Sequence, residues 1–268
     1  MRPTGRPRSP DQDLVGAGAG RRRGQAQALG RRGERAAPWT SRLTGGAPIR
    51  VPAFSRTPLT RSSALPALGA DGVELDVRLT RDGALAVHHD PVIPDVGPLA
   101  DLAVRQLPAH VPLLEAALDA CTGLTVNIEI KNLPSEQGFD TAERLALAVG
   151  AVVAELGAPE NILVSSFWPP SLDAAISCDP GIRTGLLAPA WLGAEEALEL
   201  AIDHGLGALH PEVSLLSQEL VIAAHQAGLT VAAWTVNELT ALRSALECGV
   251  DTVITDDVAS AAALVAAT

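Results

Sequence analysis

The sequence predicts an α/β protein folded as a (β/α)8 TIM-type barrel, with its first strand missing or altered as the chain is written. Three observations carry that expectation. From Gly69 to the C-terminus, short aliphatic or β-branched runs alternate with longer segments of helical period, a pattern that builds a parallel sheet. The chain has 268 residues, 47% of them hydrophobic, and about 250 residues is typical of one such barrel. Polar and charged residues gather at the C-terminal ends of the runs, where barrel enzymes place their active sites.

The strand-like runs fall at residues 73–77, 124–130, 162–166, 182–187, 208–210, 229–234 and 252–255. Alanine- and leucine-rich helical segments occupy 112–121, 141–156, 172–177, 194–204, 217–227, 238–248 and 258–267. A further short run at 84–88 follows the turn Arg81-Asp82-Gly83 and is expected as an added strand outside the barrel, in a hairpin with 73–77. The count is one strand short of eight. The absent strand should precede Val73, and without it two sheet edges would be exposed. The rival architecture, an open doubly wound sheet, lacks its G-x-G-x-x-G turn after an early strand.

One domain plus an N-terminal extension is expected: a poorly ordered basic extension at 1–65, possibly frame-shifted, and the barrel at 66–268. Residues 1–65 hold 13 arginines against Asp11, Asp13 and Glu34, which leaves 7 basic against 28 acidic residues for the remainder. Arginine mixed with Gly, Pro and Ala, with little apolar periodicity, predicts poor order through about residue 60. Such an arm is one route to nucleic-acid contact, but the acidic body argues against nucleic acid or anionic membrane as the main partner. No run of 18 apolar residues occurs, so no membrane span is expected. The N-terminal arginines are not followed by the apolar stretch of a secretory signal. Cys121, Cys178 and Cys248 are odd in number and form no C-x-x-C pair. They read as reduced core thiols of a cytoplasmic protein.

Glu74 and Asp76 lie two apart on the run 73–77, so their side chains share one face. Glu129 and Lys131 repeat that spacing on 124–130, with Asn127 in the same parity. These are either solvated strand-end charges or carboxylates converging inside a barrel. Convergence would need a hard cation with oxygen ligands, Mg²⁺ or Ca²⁺. His88-His89-Asp90-Pro91 closes the added strand; an isolated His is more often structural, yet a neutral imidazole beside a bound phosphate can protonate a leaving alkoxide. Trp234-Thr235-Val236-Asn237 offers an aromatic wall with hydrogen-bonding groups, or simply core. His210-Pro211 and Thr255-Asp256-Asp257 read as a turn or helix cap.

In order and spacing, Gly69-Ala70-Asp71-Gly72-Val73-Glu74-Leu75-Asp76-Val77, Thr80-Arg81-Asp82-Gly83 and His89-Asp90 resemble the central signature of the glycerophosphodiester phosphodiesterase family. Asn127-Ile128-Glu129-Ile130-Lys131, Ser165-Ser166-Phe167, Trp234-Thr235-Val236-Asn237 and Thr252-Val253-Ile254-Thr255-Asp256 resemble its later motifs. The resemblance implies a (β/α)8 barrel and metal-dependent hydrolysis of glycerophosphodiesters to sn-glycerol 3-phosphate and an alcohol, with Mg²⁺ or Ca²⁺. It implies Glu74, Asp76 and Glu129 as metal ligands, His89 as general acid or base, and Lys131 as a phosphate contact. Phe167 and Trp234 would shape the glycerol side. The implied partner is a small-molecule glycerophosphodiester, and the implied setting lipid and glycerol metabolism. Two alternatives stand beside this reading: a non-catalytic phosphate-ester-binding barrel that has lost its first catalytic strand, and a barrel metalloenzyme acting on sugars.

Proteins similar to this family begin with a strand ending in His-Arg-Gly, followed by Glu-Asn-Thr at a helix start. Neither tripeptide is present here. A reading-frame error accounts for both absences. If Leu43-Thr44-Gly45-Gly46 is encoded CTC-ACC-GGG-GGN, the frame beginning at the third base reads His-Arg-Gly. If Ser55-Arg56-Thr57-Pro58 is encoded TCG-AGA-ACA-CCN, the same frame reads Glu-Asn-Thr. The arginine-rich, lysine-free composition of residues 1–65 and its abrupt end at Gly69 point the same way.

Overall fold

The computed structural model describes residues 53–55 and 69–267. The expectation of a poorly ordered extension therefore lies, apart from three residues, outside the described residues. The strands in chain order are β1 (Ala53–Ser55), β2 (Gly72–Leu79), β3 (Leu85–Val87), β4 (Val92–Ile93), β5 (Gly97–Pro98), β6 (Thr125–Ile130), β7 (Ile162–Ser166), β8 (Arg183–Ala188), β9 (Ala208–Pro211), β10 (Thr230–Ala233) and β11 (Thr252–Thr255). The helices are α1 (Leu114–Ala120), α2 (Arg144–Glu155), α3 (Pro169–Cys178), α4 (Ala194–Asp203), α5 (Gln218–Gln226), α6 (Leu239–Cys248) and α7 (Val258–Ala267).

Parallel pairing runs from β2 through β6, β7, β8, β9 and β10 to β11. β1 closes the ring by pairing in parallel with both β11 and β2. The first barrel strand is thus altered rather than missing, and the expected pair of free edges is corrected. The physical reason is plain: the facing edges of β11 and β2 carry backbone groups that must be paired, and a three-residue extended segment supplies partners for both. This strand falls inside the segment assigned to the basic extension, so three residues of that segment belong to the barrel.

All seven sequence-predicted barrel strands are present, and from β6 to β11 they are buried almost throughout, as strands covered on both faces are. On β2 the odd positions Val73, Leu75 and Val77 are 2% exposed or less and face the helical layer, which turns Glu74 and Asp76 to the barrel interior. The helices cover the ring with narrow apolar stripes. On α2 these are Leu145, Ala146, Val149, Gly150 and Val153, the i, i+3, i+4 spacing of one helix face. Gly150 is needed for close approach to α3, since a Cβ there would lie 2.9 Å from the Ala175 carbonyl and the Cys178 sulfur. α3 starts three residues earlier than expected because Pro169 occupies its first turn, where a missing N–H costs nothing.

β3 pairs antiparallel with β2, as the turn at Gly83 predicts. The excursion then continues through a small β4–β5 hairpin that the sequence did not signal, since two-residue strands have no readable period. Its own core of Ala86, Ile93, Leu99, Leu102 and Val111 holds it over the barrel mouth side of β2. This excursion delivers His89.

Candidate active site

Strand register builds the site. β2 and β6 pair so that Glu74 faces Asn127 and Asp76 faces Glu129 across the ladder, all inward. One carboxylate oxygen from each of Glu74, Asp76 and Glu129 lies within 4.8 Å of the others. Glu74 and Glu129 are buried and Asp76 half-buried. Lys131, the first residue after β6 and in the inward parity of Glu129, puts its Nζ 2.5 Å from Glu129 Oε1 and 3.0 Å from Asp76 Oδ1. Burial alone would push the Lys131 ammonium towards losing its proton, but Glu129 and Asp76 outweigh it and hold its pKa above the ordinary lysine value. Lys131 is the only lysine of the chain.

Three carboxylates and one ammonium leave a deficit of two positive charges in a buried place. A divalent cation with oxygen ligands makes up that deficit, so the donor set fits Mg²⁺ or Ca²⁺ by number, hardness and charge.

A cavity of about 300 Å³ opens above these groups and brings together Glu74, Glu129, Lys131, His89, Phe167 and Trp234. Asp76 joins them through Lys131. Phe167 and Trp234 meet edge to face, with centroids 5.5 Å apart, and Lys131 Nζ lies 5.8 Å from the Phe167 centroid. They form an apolar wall along one side of a charged floor. The Trp234 indole N–H donates to the His210 carbonyl at 2.6 Å, which fixes the ring.

His89 is exposed, and its Nδ1 is 2.7 Å from Asp90 Oδ1. That hydrogen bond from His89 holds the Asp90 carboxyl below the usual carboxylate range. With Nδ1 so engaged, Nε2 is the ring nitrogen left for a further contact. Arg78 was not singled out from the sequence, yet it anchors this segment. It is 6% exposed, its Nε donates to the His89 carbonyl at 2.8 Å, and its Nη1 reaches Glu136 at 2.7 Å. The signal was available, since Arg78 continues the inward parity of Glu74 and Asp76. Glu143 is a second missed residue. It accepts from Asn132, Trp168 and Ser171 and so ties the loop after Lys131 to the end of β7.

His210 differs from its expected role at a turn. Its ring lies inside the barrel, 3% exposed, with Nδ1 lacking a hydrogen-bond partner among the described residues. The space comes from Gly185 on the next strand, where a Cβ would sit 2.9 Å from His210 Nε2. Burial, with a smaller contribution from the charge on Arg183, pushes the His210 pKa down to about 4. The unfolded chain therefore binds this proton near pH 6.5 and the folded protein only near 4. Stability should fall as pH drops through that window, by about 2–3 kcal/mol at pH 4.5. Urea unfolding at pH 7 and pH 4.5 should show this loss, and His210→Gln should flatten it. An equal slope in both proteins would refute the assignment.

A closed parallel barrel with its polar groups at the strand C-termini is a TIM-barrel enzyme scaffold. Residues 63–260 match the model of the Glycerophosphoryl diester phosphodiesterase family, and the chain belongs to that family. It is 29% identical over 211 residues to a glycerophosphodiester phosphodiesterase of Caldanaerobacter subterraneus subsp. tengcongensis, covering 71% of this chain and 84% of that protein. It is likewise 29% identical over 211 residues to one from Bacillus altitudinis, covering 70% and 83%. Among solved structures, a glycerophosphodiester phosphodiesterase from Thermotoga maritima superposes with a TM-score of 0.66 at 23% identity, covering 81% of this chain and 98% of that one. A phosphodiesterase from Oleispira antarctica in complex with the product sn-glycerol-3-phosphate gives 0.69 at 20% identity, covering 81% and 97%. The protein is by family a phosphoric diester hydrolase.

Proposed function

We propose that this barrel hydrolyses glycerophosphodiesters to sn-glycerol 3-phosphate and an alcohol, with a divalent cation held by Glu74, Asp76 and Glu129. The observation that carries the reading is the convergence of three carboxylates from two adjacent strands beside one buried lysine. When bound, Mg²⁺ or Ca²⁺ would supply Lewis acidity towards a phosphoryl oxygen. Lys131 would neutralise a further phosphoryl oxygen from the Phe167 side. The Phe167–Trp234 wall would hold the carbon skeleton of the glycerol and exclude water from it. Water would attack phosphorus and lose a proton to solvent, while His89 Nε2 would give a proton to the departing alkoxide as its bond to phosphorus breaks, with Asp90 fixing the ring. A cytoplasmic setting in lipid and glycerol metabolism is proposed with this chemistry.

One observation favours a second reading of the chain as written. The strand that closes the ring is Ala-Phe-Ser in sequence, with neither a histidine nor a carboxylate. On that reading the chain binds phosphate esters without turning them over. The experiment is phosphorus NMR of glycerophosphocholine with the chain and Mg²⁺ or Ca²⁺. Slow appearance of sn-glycerol 3-phosphate, with no action on a free disaccharide, supports the enzyme. Saturable binding of sn-glycerol 3-phosphate without turnover supports the second reading, and cleavage of the sugar alone would sink both.

A further inference from the structure

Glu143 stands at the cap position ahead of α2, with a left-handed backbone at φ 55°. A residue with a Cβ adopts that conformation at a cost and keeps it where its surroundings hold it there. Here the side chain does the holding. Three donors from three segments converge on its carboxylate: Asn132 Nδ2 on Oε2 at 2.9 Å, Ser171 Oγ on the same oxygen at 2.6 Å, and the Trp168 indole N–H on Oε1 at 3.0 Å. Arg144, next in sequence, is paired with Asp140 instead. All three donors are neutral, and of the side chains only an ionised carboxylate accepts three hydrogen bonds without presenting a donor of its own.

The segments so joined carry two residues of the catalytic cavity. Asn132 follows Lys131 and Trp168 follows Phe167, and both Lys131 and Phe167 line the cavity. The ladder between β6 and β7 ends at the pair Glu129–Ser165, two residues short of Lys131 and Phe167. Beyond that point side chains hold the strand ends together. Ser166 Oγ donates to the Ile130 carbonyl at 3.0 Å and accepts the Trp168 N–H at 3.1 Å. The Asn132 amide exchanges hydrogen bonds with the Asp140 backbone at 2.9 and 3.0 Å. Asn132, Ser166, Trp168 and Ser171 are all buried. Glu143 is the group on which the two sides meet.

The inference rests on the reading of the site above, with a phosphoryl oxygen at Lys131 and the glycerol against Phe167. We propose that Glu143 is a positioning residue of the hydrolysis, whose carboxylate sets the spacing between Lys131 and Phe167 where the ladder no longer does. It touches neither substrate nor cation. With that spacing fixed, the ammonium and the ring meet the charged and the carbon parts of one small molecule together. Glu74, Asp76 and Glu129 lie within the β2–β6 ladder, so their geometry does not depend on Glu143.

The test compares Glu143→Ala and Glu143→Gln with Asn161→Ala, which removes a tie between the same two strands at the opposite end of the barrel, from Asn161 Nδ2 to the Leu124 carbonyl at 3.1 Å. Calorimetric titration gives the affinity for Ca²⁺ and then, with Ca²⁺ saturating, for sn-glycerol 3-phosphate. Because Lys131 is the only lysine, ¹³C-lysine labelling adds a single NMR signal that reports its order without any ligand. Glu143→Ala should bind sn-glycerol 3-phosphate about tenfold more weakly and keep its Ca²⁺ affinity within about threefold. Its lysine signal should sharpen and move towards that of a free side chain. Glu143→Gln keeps one acceptor oxygen and should recover part of the affinity; it carries the same comparison should the alanine variant not fold. Asn161→Ala should lower the thermal midpoint and leave both product affinity and lysine signal unchanged. Unchanged product affinity and lysine signal in the Glu143 variants, or equal losses in Asn161→Ala, would overturn the proposal. If the wild-type chain binds Ca²⁺ but not sn-glycerol 3-phosphate, the reading of the pocket fails, and the lysine signal alone decides whether Glu143 positions Lys131.

Discussion

Shifting the reading frame across codons 43 to 68, so that Leu43 to Gly46 reads His-Arg-Gly and Ser55 to Pro58 reads Glu-Asn-Thr, should raise the rate of glycerophosphocholine hydrolysis by about 10²–10⁴-fold over the chain as written. The ring explains the size of the effect. β1 sits between β11 and β2, in register with Gly72 and Val73, so the C-terminal end of the first strand opens on the same mouth as Glu74 and Asp76. In the shifted frame the strand filling that gap would be the one that ends in His-Arg-Gly at 43–46, in place of Ala53–Ser55, and its imidazole would open on the same mouth as the carboxylates, giving the reaction both a base and an acid. The added arginine and glutamate carry one charge of each sign, so the deficit that a divalent cation fills is unchanged. Steady-state rates on both proteins check this. A change of less than about threefold, with both folded, would contradict it, and a native gene without those codons would remove its premise.

If the proposed metal site is right, Glu74→Gln should weaken Ca²⁺ or Mg²⁺ binding by about 10²-fold or more, since it deletes one of the three proposed charged ligands and keeps the side-chain volume. The metal-free protein should move the other way. Glu74 is 5% exposed and shares a buried space with Asp76 and Glu129; removing one of three like charges relieves their repulsion and raises the thermal midpoint without metal. A cation should then stabilise the wild-type chain strongly and the variant little. Calorimetric titration and thermal melts with and without Ca²⁺ measure both effects. A variant that loses stability without metal and keeps its cation affinity would show these carboxylates to be structural.

Much of the fold was legible because barrel strands carry two signals at once. Val73, Leu75 and Val77 alternate with Glu74 and Asp76, and the aliphatic half locates the strand while the acidic half locates the site. Period 3.6 in the alanine-rich segments supplied the helices. What stayed hidden was set by contacts distant in sequence. Arg78 matters because Glu136, 58 residues on, and the His89 carbonyl converge on it. His210 is inside the barrel because Gly185 on the neighbouring strand leaves room, a coincidence that no local pattern announces. β1 forms because two edges need a partner, so its position reflects the vacancy it fills more than its own Ala-Phe-Ser propensity.

The central claim is that three carboxylates in this barrel hold the cation that hydrolysis of a glycerophosphodiester requires. The most direct measurement follows glycerophosphocholine by phosphorus NMR with the frame-restored protein, first with Ca²⁺ or Mg²⁺, then with excess chelator, then with the cation returned. The account predicts sn-glycerol 3-phosphate and choline in the first stage, arrest in the second and recovery in the third. Cleavage that continues through the chelator, or none at any stage from a folded protein, would contradict it.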